Sequence, residues 1–181
     1  MMTGGLFSYG PGGYANTPLA GYLPVRMSAN ELQGAGSISA DLHHDKPLKM
    51  LPTDEGLRHF IMQLSRRYNR QTWASLPNLR GANKLREKNA FVEILARSED
   101  GIPLPFATES GKSRVLALAA DTTFAWAVND KVEESQRSRR QTSLWLGAKD
   151  SDPPQPVRTP AHPRHFPSQY HVPTRPASRH G

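Results

Sequence analysis

Arg114-Val-Leu-Ala-Leu-Ala-Ala-Asp-Thr-Thr-Phe-Ala-Trp126 is the stretch whose reading decides the fold. Val115 to Ala120 is an unbroken apolar run of strand length that stops on Asp121, Thr122 and Thr123, the pattern of a strand covered on both faces as it leaves a sheet. Open α/β sheets bind ligands at such exits. Asp121, Thr122 and Thr123 are therefore candidate ligand-binding residues, although the commoner use of Asp-Thr-Thr, and the one that outweighs catalysis, is to cap a following helix and finish a turn. Immediately upstream, Ser110-Gly111-Lys112 reads as a tight turn, making residues 103–108 and 113–120 a hairpin. Pro103 and Pro105 push its first strand toward a sheet edge. Phe91 to Ala96 predicts a further strand, a neighbour of the central one, closed by the turn Ser98-Glu99-Asp100-Gly101.

Beyond Thr123 the chain turns helical, with a short segment near Phe124 to Val128 and a longer one from Val132 to Leu146. Glu133 and Arg137 stand at i and i+4, a weakly stabilising spacing. The apolar residues of the long helix gather in Leu144, Trp145 and Leu146, so it is expected to dock by its last turn only. Arg137, Arg139 and Arg140 read as a solvated face.

Toward the N-terminus, Gly4 to Gly13 is a glycine-rich loop without the spacing of a phosphate-binding fingerprint. Pro18, Gly21 and Pro24 leave room for about one helical turn. Asp41, His43, His44 and Asp45 offer four potential ligands in five residues. Adjacent histidines point apart and Lys46 sits beside them, so no metal site is expected. Asp54 to Leu64 predicts a turn, a short extended piece and an apolar patch. Within it His59 is a candidate base or ligand-binding residue, weighed against a hydrogen-bonded structural role. Asn69 is placed to cap a short helix carrying Trp73, which Pro77 ends.

The chain has 181 residues, 36% of them apolar, with a formal charge of +7. Residues 1–146 hold 18 Lys/Arg against 14 Asp/Glu, or +4, and residues 147–181 hold five against two, or +3. Neither segment carries the concentrated basic stripe of a nucleic-acid surface. Eight of the 16 prolines fall in residues 147–181, where large aliphatic residues are nearly absent. The expected organisation is one α/β unit over 1–146 and a disordered Pro/Arg/His-rich tail over 147–181. The chain has no cysteine, which removes thiol nucleophiles and thiolate metal sites. No run reaches the roughly 20 apolar residues of a membrane span, and a soluble, untargeted chain is expected.

Three pieces read together: Ser8-Tyr-Gly-Pro-Gly-Gly-Tyr-Ala-Asn-Thr-Pro-Leu19 with Leu23-Pro-Val25; Trp73-Ala-Ser-Leu-Pro77 with Gly81-Ala-Asn83; and Gly111-Lys-Ser-Arg-Val-Leu-Ala117 with Asp121-Thr-Thr-Phe124. In this order they resemble the glutamine amidotransferase-like domain of large bacterial proteins, often membrane-anchored and often joined to a von Willebrand factor A-type module. The likeness covers about residues 3–146. It implies the class I glutamine amidotransferase-like superfamily and part of its three-layer α/β/α fold, with the chain beginning midway through the domain. Working relatives use a cysteine nucleophile with a His and a Glu. This chain lacks the cysteine and has no His between Asp121 and the tail, so the resemblance transfers no catalytic residue. It departs from the family at His59-Phe60, where His-Pro is usual, and in its polar last helix.

The expected function is that of a non-catalytic binding or scaffold module, without cofactor, serving protein partners or the rest of a larger parent protein. Two alternatives stand beside it. One is a hydrolase-like enzyme using Asp121, Thr122 and Thr123 with His59 as base. The other is weak nucleic-acid binding through the basic tail, with Phe166 and Tyr170 as the aromatic residues on hand.

Overall fold

A computed structural model describes residues 1–34, 36, 39–111, 113–120 and 122–147. In chain order the elements are β1 (Met2–Gly4), α1 (Leu19–Tyr22), β2 (His43–His44), β3 (Leu51–Pro52), α2 (Asp54–Arg58), α3 (Asn69–Ala74), β4 (Ala82–Asn83), β5 (Glu93–Ile94), β6 (Ala96–Arg97), β7 (Pro105–Ser110), β8 (Ser113–Leu118), α4 (Phe124–Val128) and α5 (Val132–Gly147). Short 3-10 turns cover 14–16, 29–31 and 60–62. The fold is a partial α/β arrangement with a β-hairpin and a C-terminal helix.

The hairpin β7–β8 organises the sheet, whose order is β1-β8-β7-β5, with β1 parallel to β8 and the other pairs antiparallel. Every residue from Val115 to Ala120 is at most 8% exposed. Apolar side chains on successive positions are tolerated only when both faces are covered, and this run meets that condition.

Two expectations about the neighbouring strands are corrected. The 103–108 strand lies inside the sheet, between β8 and β5, and not at an edge. Pro105 is its first residue, where its carbonyl accepts from Leu95 N at 3.0 Å, so the missing N–H interrupts no ladder. The 91–96 run is not one strand: Phe91 is 84% exposed, and the chain changes sheets at Leu95. Leu95 donates to Pro105 in the main sheet while its carbonyl accepts from Thr53 N at 3.0 Å. Thereafter β6 pairs with β3. The central strand's neighbours are accordingly β1 and β7.

The Asp54 segment is helical from its start, because the Thr53 hydroxyl accepts from Gly56 N at 2.9 Å and caps α2. Asn69 begins α3 without capping it. Its carboxamide accepts from Leu64 N and Ser65 N and donates to Met62 O, tying the 62–65 loop to the helix. Pro18 and Gly21 confine α1 to four residues, as expected.

The long helix departs most from expectation. Ser135, Thr142 and Trp145 are buried and Ser138 is half-buried, a face at i, i+3, i+7 and i+10 along the whole of α5. Small hydroxyl side chains let the helix approach closely, so apolarity is not required over its length. The Arg137 guanidinium donates to Leu64 O and Gln141 Nε2 to Gln63 O at 2.6 Å. Arg137 therefore does not form the expected pair with Glu133. The helix reaches Gly147, one residue past the expected boundary, and the tail expected to be disordered lies, from 148 on, outside the described residues.

The core gathers Tyr9, Leu23, Leu48, Leu79, Leu95, Phe106 and the Trp73–Trp126 pair, whose rings meet edge to face at 5.7 Å. Leu48 and Leu79 exchange two backbone hydrogen bonds at 2.9 and 2.8 Å, which draws the loop after α3 against the chain before β3.

Candidate functional site

The exit of β8 is built into the surrounding backbone. Thr122 Oγ1 accepts from Arg80 N at 3.0 Å. The Thr122 and Thr123 carbonyls accept from Ala125 N and Trp126 N, opening α4. Thr123 occupies the cap position with helical φ and ψ, and its side chain caps nothing. Trp126 Nε1 donates to Pro77 O at 3.1 Å, so α4 and the loop between α3 and β4 are stapled at two points. Asp121, the third candidate at this exit, lies outside the described residues.

Sequence reasoning missed the polar centre beside this exit, Asn83, which is 1% exposed. Its Nδ2 donates to Gly5 O at 2.8 Å and its Oδ1 lies 3.1 Å from His43 Nδ1. The Gly5 carbonyl fixes the amide orientation, which makes His43 Nδ1 the donor. Asn83 N also bonds Ala119 O at 2.9 Å, and Tyr9 Oη donates to Leu118 O at 3.0 Å. Gly81 passes so close that a Cβ there would stand 2.6 Å from both His43 Nε2 and His44 O. The Gly81-Ala82-Asn83 spelling carried the signal: two small residues beside one amide mark close backbone approach and a buried polar link.

His59 sits elsewhere. Its backbone ends α2, and its Nδ1 accepts from Ile61 N at 3.3 Å to cap the 60–62 turn. Its ring packs edge-on against Trp145 at 5.3 Å. Burial holds its pKa below the ordinary 6.5; Arg114 lowers it further, and Glu93 and Glu109 oppose both. Arg114 lies at the start of β8 and Thr122 beyond its end; the strand alone separates them by about 13 Å from Arg114 to Leu118 at about 3.3 Å per residue. The structure does not bring His59 and Thr122 into one site.

Of the 41–45 cluster, His43 is engaged by Asn83, while His44 is held below its ordinary pKa, first by partial burial and then by Lys84 and Lys46. Lys46 pairs with Asp100 at 2.6 Å. Among the described residues no three His, Asp or Glu side chains converge as metal ligands.

An open groove of about 840 Å³ runs between residues 60–66 and α5. Arg66 lines one lip and Arg137, Arg140 and Gln141 the other. Arg137, Arg139 and Arg140 are all exposed, as a solvated face requires, and Arg137 and Arg140 also line this groove. No feature of the sequence marked this, because the two lips are some 70 residues apart in the chain.

No helix among the described residues is long and apolar enough to cross a membrane. No family model matches the chain, and no curated protein matches it in sequence. Its fold is similar to that of the Cytoplasmic Protein STM1381 from Salmonella typhimurium LT2, with a TM-score of 0.51 and 22% identity. The match covers 81% of this chain and 51% of that one, so this chain spans about half the length of that protein.

Proposed function

We propose that this chain is a non-catalytic, glutamine amidotransferase-like module that works by binding, as a scaffold for protein partners or for the rest of a larger parent protein. The observation that carries this reading is the fate of the polar candidates. Thr122 is engaged by Arg80 N and His59 by Ile61 N, and they stand at opposite ends of β8. A general base must come within hydrogen-bond reach of the group it activates, and these two do not. The chain also has no cysteine for acyl transfer from glutamine.

An open sheet edge supports the binding half of the reading. β1 is the outer strand among those described, parallel to β8, with Met2 50% exposed and Gly4 exposed. Leu116 N bonds Met1 O at 2.8 Å. Alternation along the strand therefore turns the Met2 N–H and C=O outward, and an outward row of this kind is a template for another strand.

The test is turnover by the full chain. Ammonia release from glutamine and hydrolysis of a panel of activated esters should equal the buffer blank for wild type and for Thr122→Val alike. Turnover by wild type that Thr122→Val removes would overturn the non-catalytic reading in favour of an enzyme working at the strand exit.

A further inference from the structure

The groove between residues 60–66 and α5 combines two features that call for an occupant. The first is charge. Among the described residues neither Arg66 nor Arg140 meets a carboxylate, and they face the same space from opposite lips. The second is an unmet acceptor. Gln141 Oε1 is the buried side-chain oxygen without a hydrogen-bond partner among the described residues. Rotating the amide by half a turn would not cure this, because it would set the oxygen against the Gln63 carbonyl that Nε2 now serves. A buried acceptor left unpaired is costly and rare in native structures. Gln141 itself lines the groove, so an occupant's donor that reached this oxygen would satisfy it.

We propose that this groove binds an acidic peptide segment, its carboxylates on Arg66 and Arg140 and a main-chain N–H on Gln141 Oε1. A peptide supplies both chemistries at once, anions at side-chain spacing and amide donors between them. Nucleic acid fits less well. Its phosphates bring acceptors only, and Glu133 and Glu134, on the same lip as Arg140, oppose a uniform polyanion. The volume of about 840 Å³ lies at the large end of ordinary ligand sites, and the site is open to solvent. This rests on the binding-module reading and names its partner class; failure here leaves that reading standing, since only turnover removes it.

The probe is a fluorescein-labelled hexapeptide with two glutamates separated by two alanines, so that its charges are spaced and not uniform, followed by fluorescence anisotropy with the full chain. Saturable binding is expected. Arg140→Glu should weaken it by at least about tenfold, the effect of losing a charge-assisted hydrogen bond. Arg139→Glu makes the same charge change on the same helix outside the groove and should shift it by less than about twofold. Both positions are exposed, and circular dichroism melts check that both variants fold. Slower amide exchange over residues 60–66 in the complex would place the peptide in the groove. Absence of saturable binding, equal losses in the two variants, or displacement by inorganic phosphate at matched anion concentration would each overturn the proposal. A single-stranded DNA oligomer outcompeting the unlabelled peptide would replace it with a nucleic-acid surface.

Discussion

Leu116→Ala probes the strand on which the fold turns. Leu116 is 3% exposed, and its strand is laddered on both edges, with Met2 and Ala107 as its register partners. The substitution removes three carbons, about 2.4 kcal/mol at roughly 0.8 kcal/mol per buried methylene. A cavity term adds to this, because a strand held by ladders on both edges cannot collapse into the space. The expected loss is about 3–5 kcal/mol, a large part of the 5–15 kcal/mol typical of a whole domain. Urea denaturation followed by tryptophan fluorescence measures it. With a slope of about 1–3 kcal/mol per molar, the midpoint should fall by more than about 1 M. Val128→Ala, at a 74% exposed site, is the control and should stay within about 0.5 kcal/mol. A loss below about 1 kcal/mol for Leu116→Ala would mean that β8 is not the central strand, and the sheet described above would be wrong.

Two further perturbations follow from the packing. Gly56→Ala would place a Cβ 1.8 Å from the Leu95 carbonyl, and the backbone at Leu95 is bonded to both Thr53 and Pro105, so the variant should lose upward of about 3 kcal/mol by the same denaturation assay despite its higher helix propensity. His59 has a folded pKa depressed first by burial and then by Arg114, against Glu93 and Glu109, so the unfolded chain binds its proton more readily. Its contribution to stability is complete above about pH 6.5 and is lost as pH falls from there toward the folded value. His59→Asn keeps an acceptor for Ile61 N and should flatten that part of the stability–pH curve; an unchanged slope below pH 6.5 would show that His59 is not held neutral.

Much of the framework was legible without coordinates because it depends on local chemistry. The hairpin follows from an apolar run, a glycine turn and a polar stop. The reach of α1 follows from proline and glycine, and α4 was placed to the residue. Tertiary structure decided what depends on partners distant in the chain. Two prolines suggested an edge strand, but a strand's first residue owes its neighbour no N–H, and β7 lies inside the sheet. A polar helix suggested weak docking, but hydroxyls and amides can pack when backbone carbonyls from the 62–65 loop stand opposite, and those carbonyls come from some 70 residues away. The candidate site divides the same way. Thr122 and Thr123 were found as a strand exit because the change from apolar to polar is a sequence feature. That Thr122 is taken by Arg80 N, that Asn83 links Gly5 to His43, and that Arg66 faces Arg140 across a groove are pairings between segments, and sequence periodicity carries no record of which segments meet.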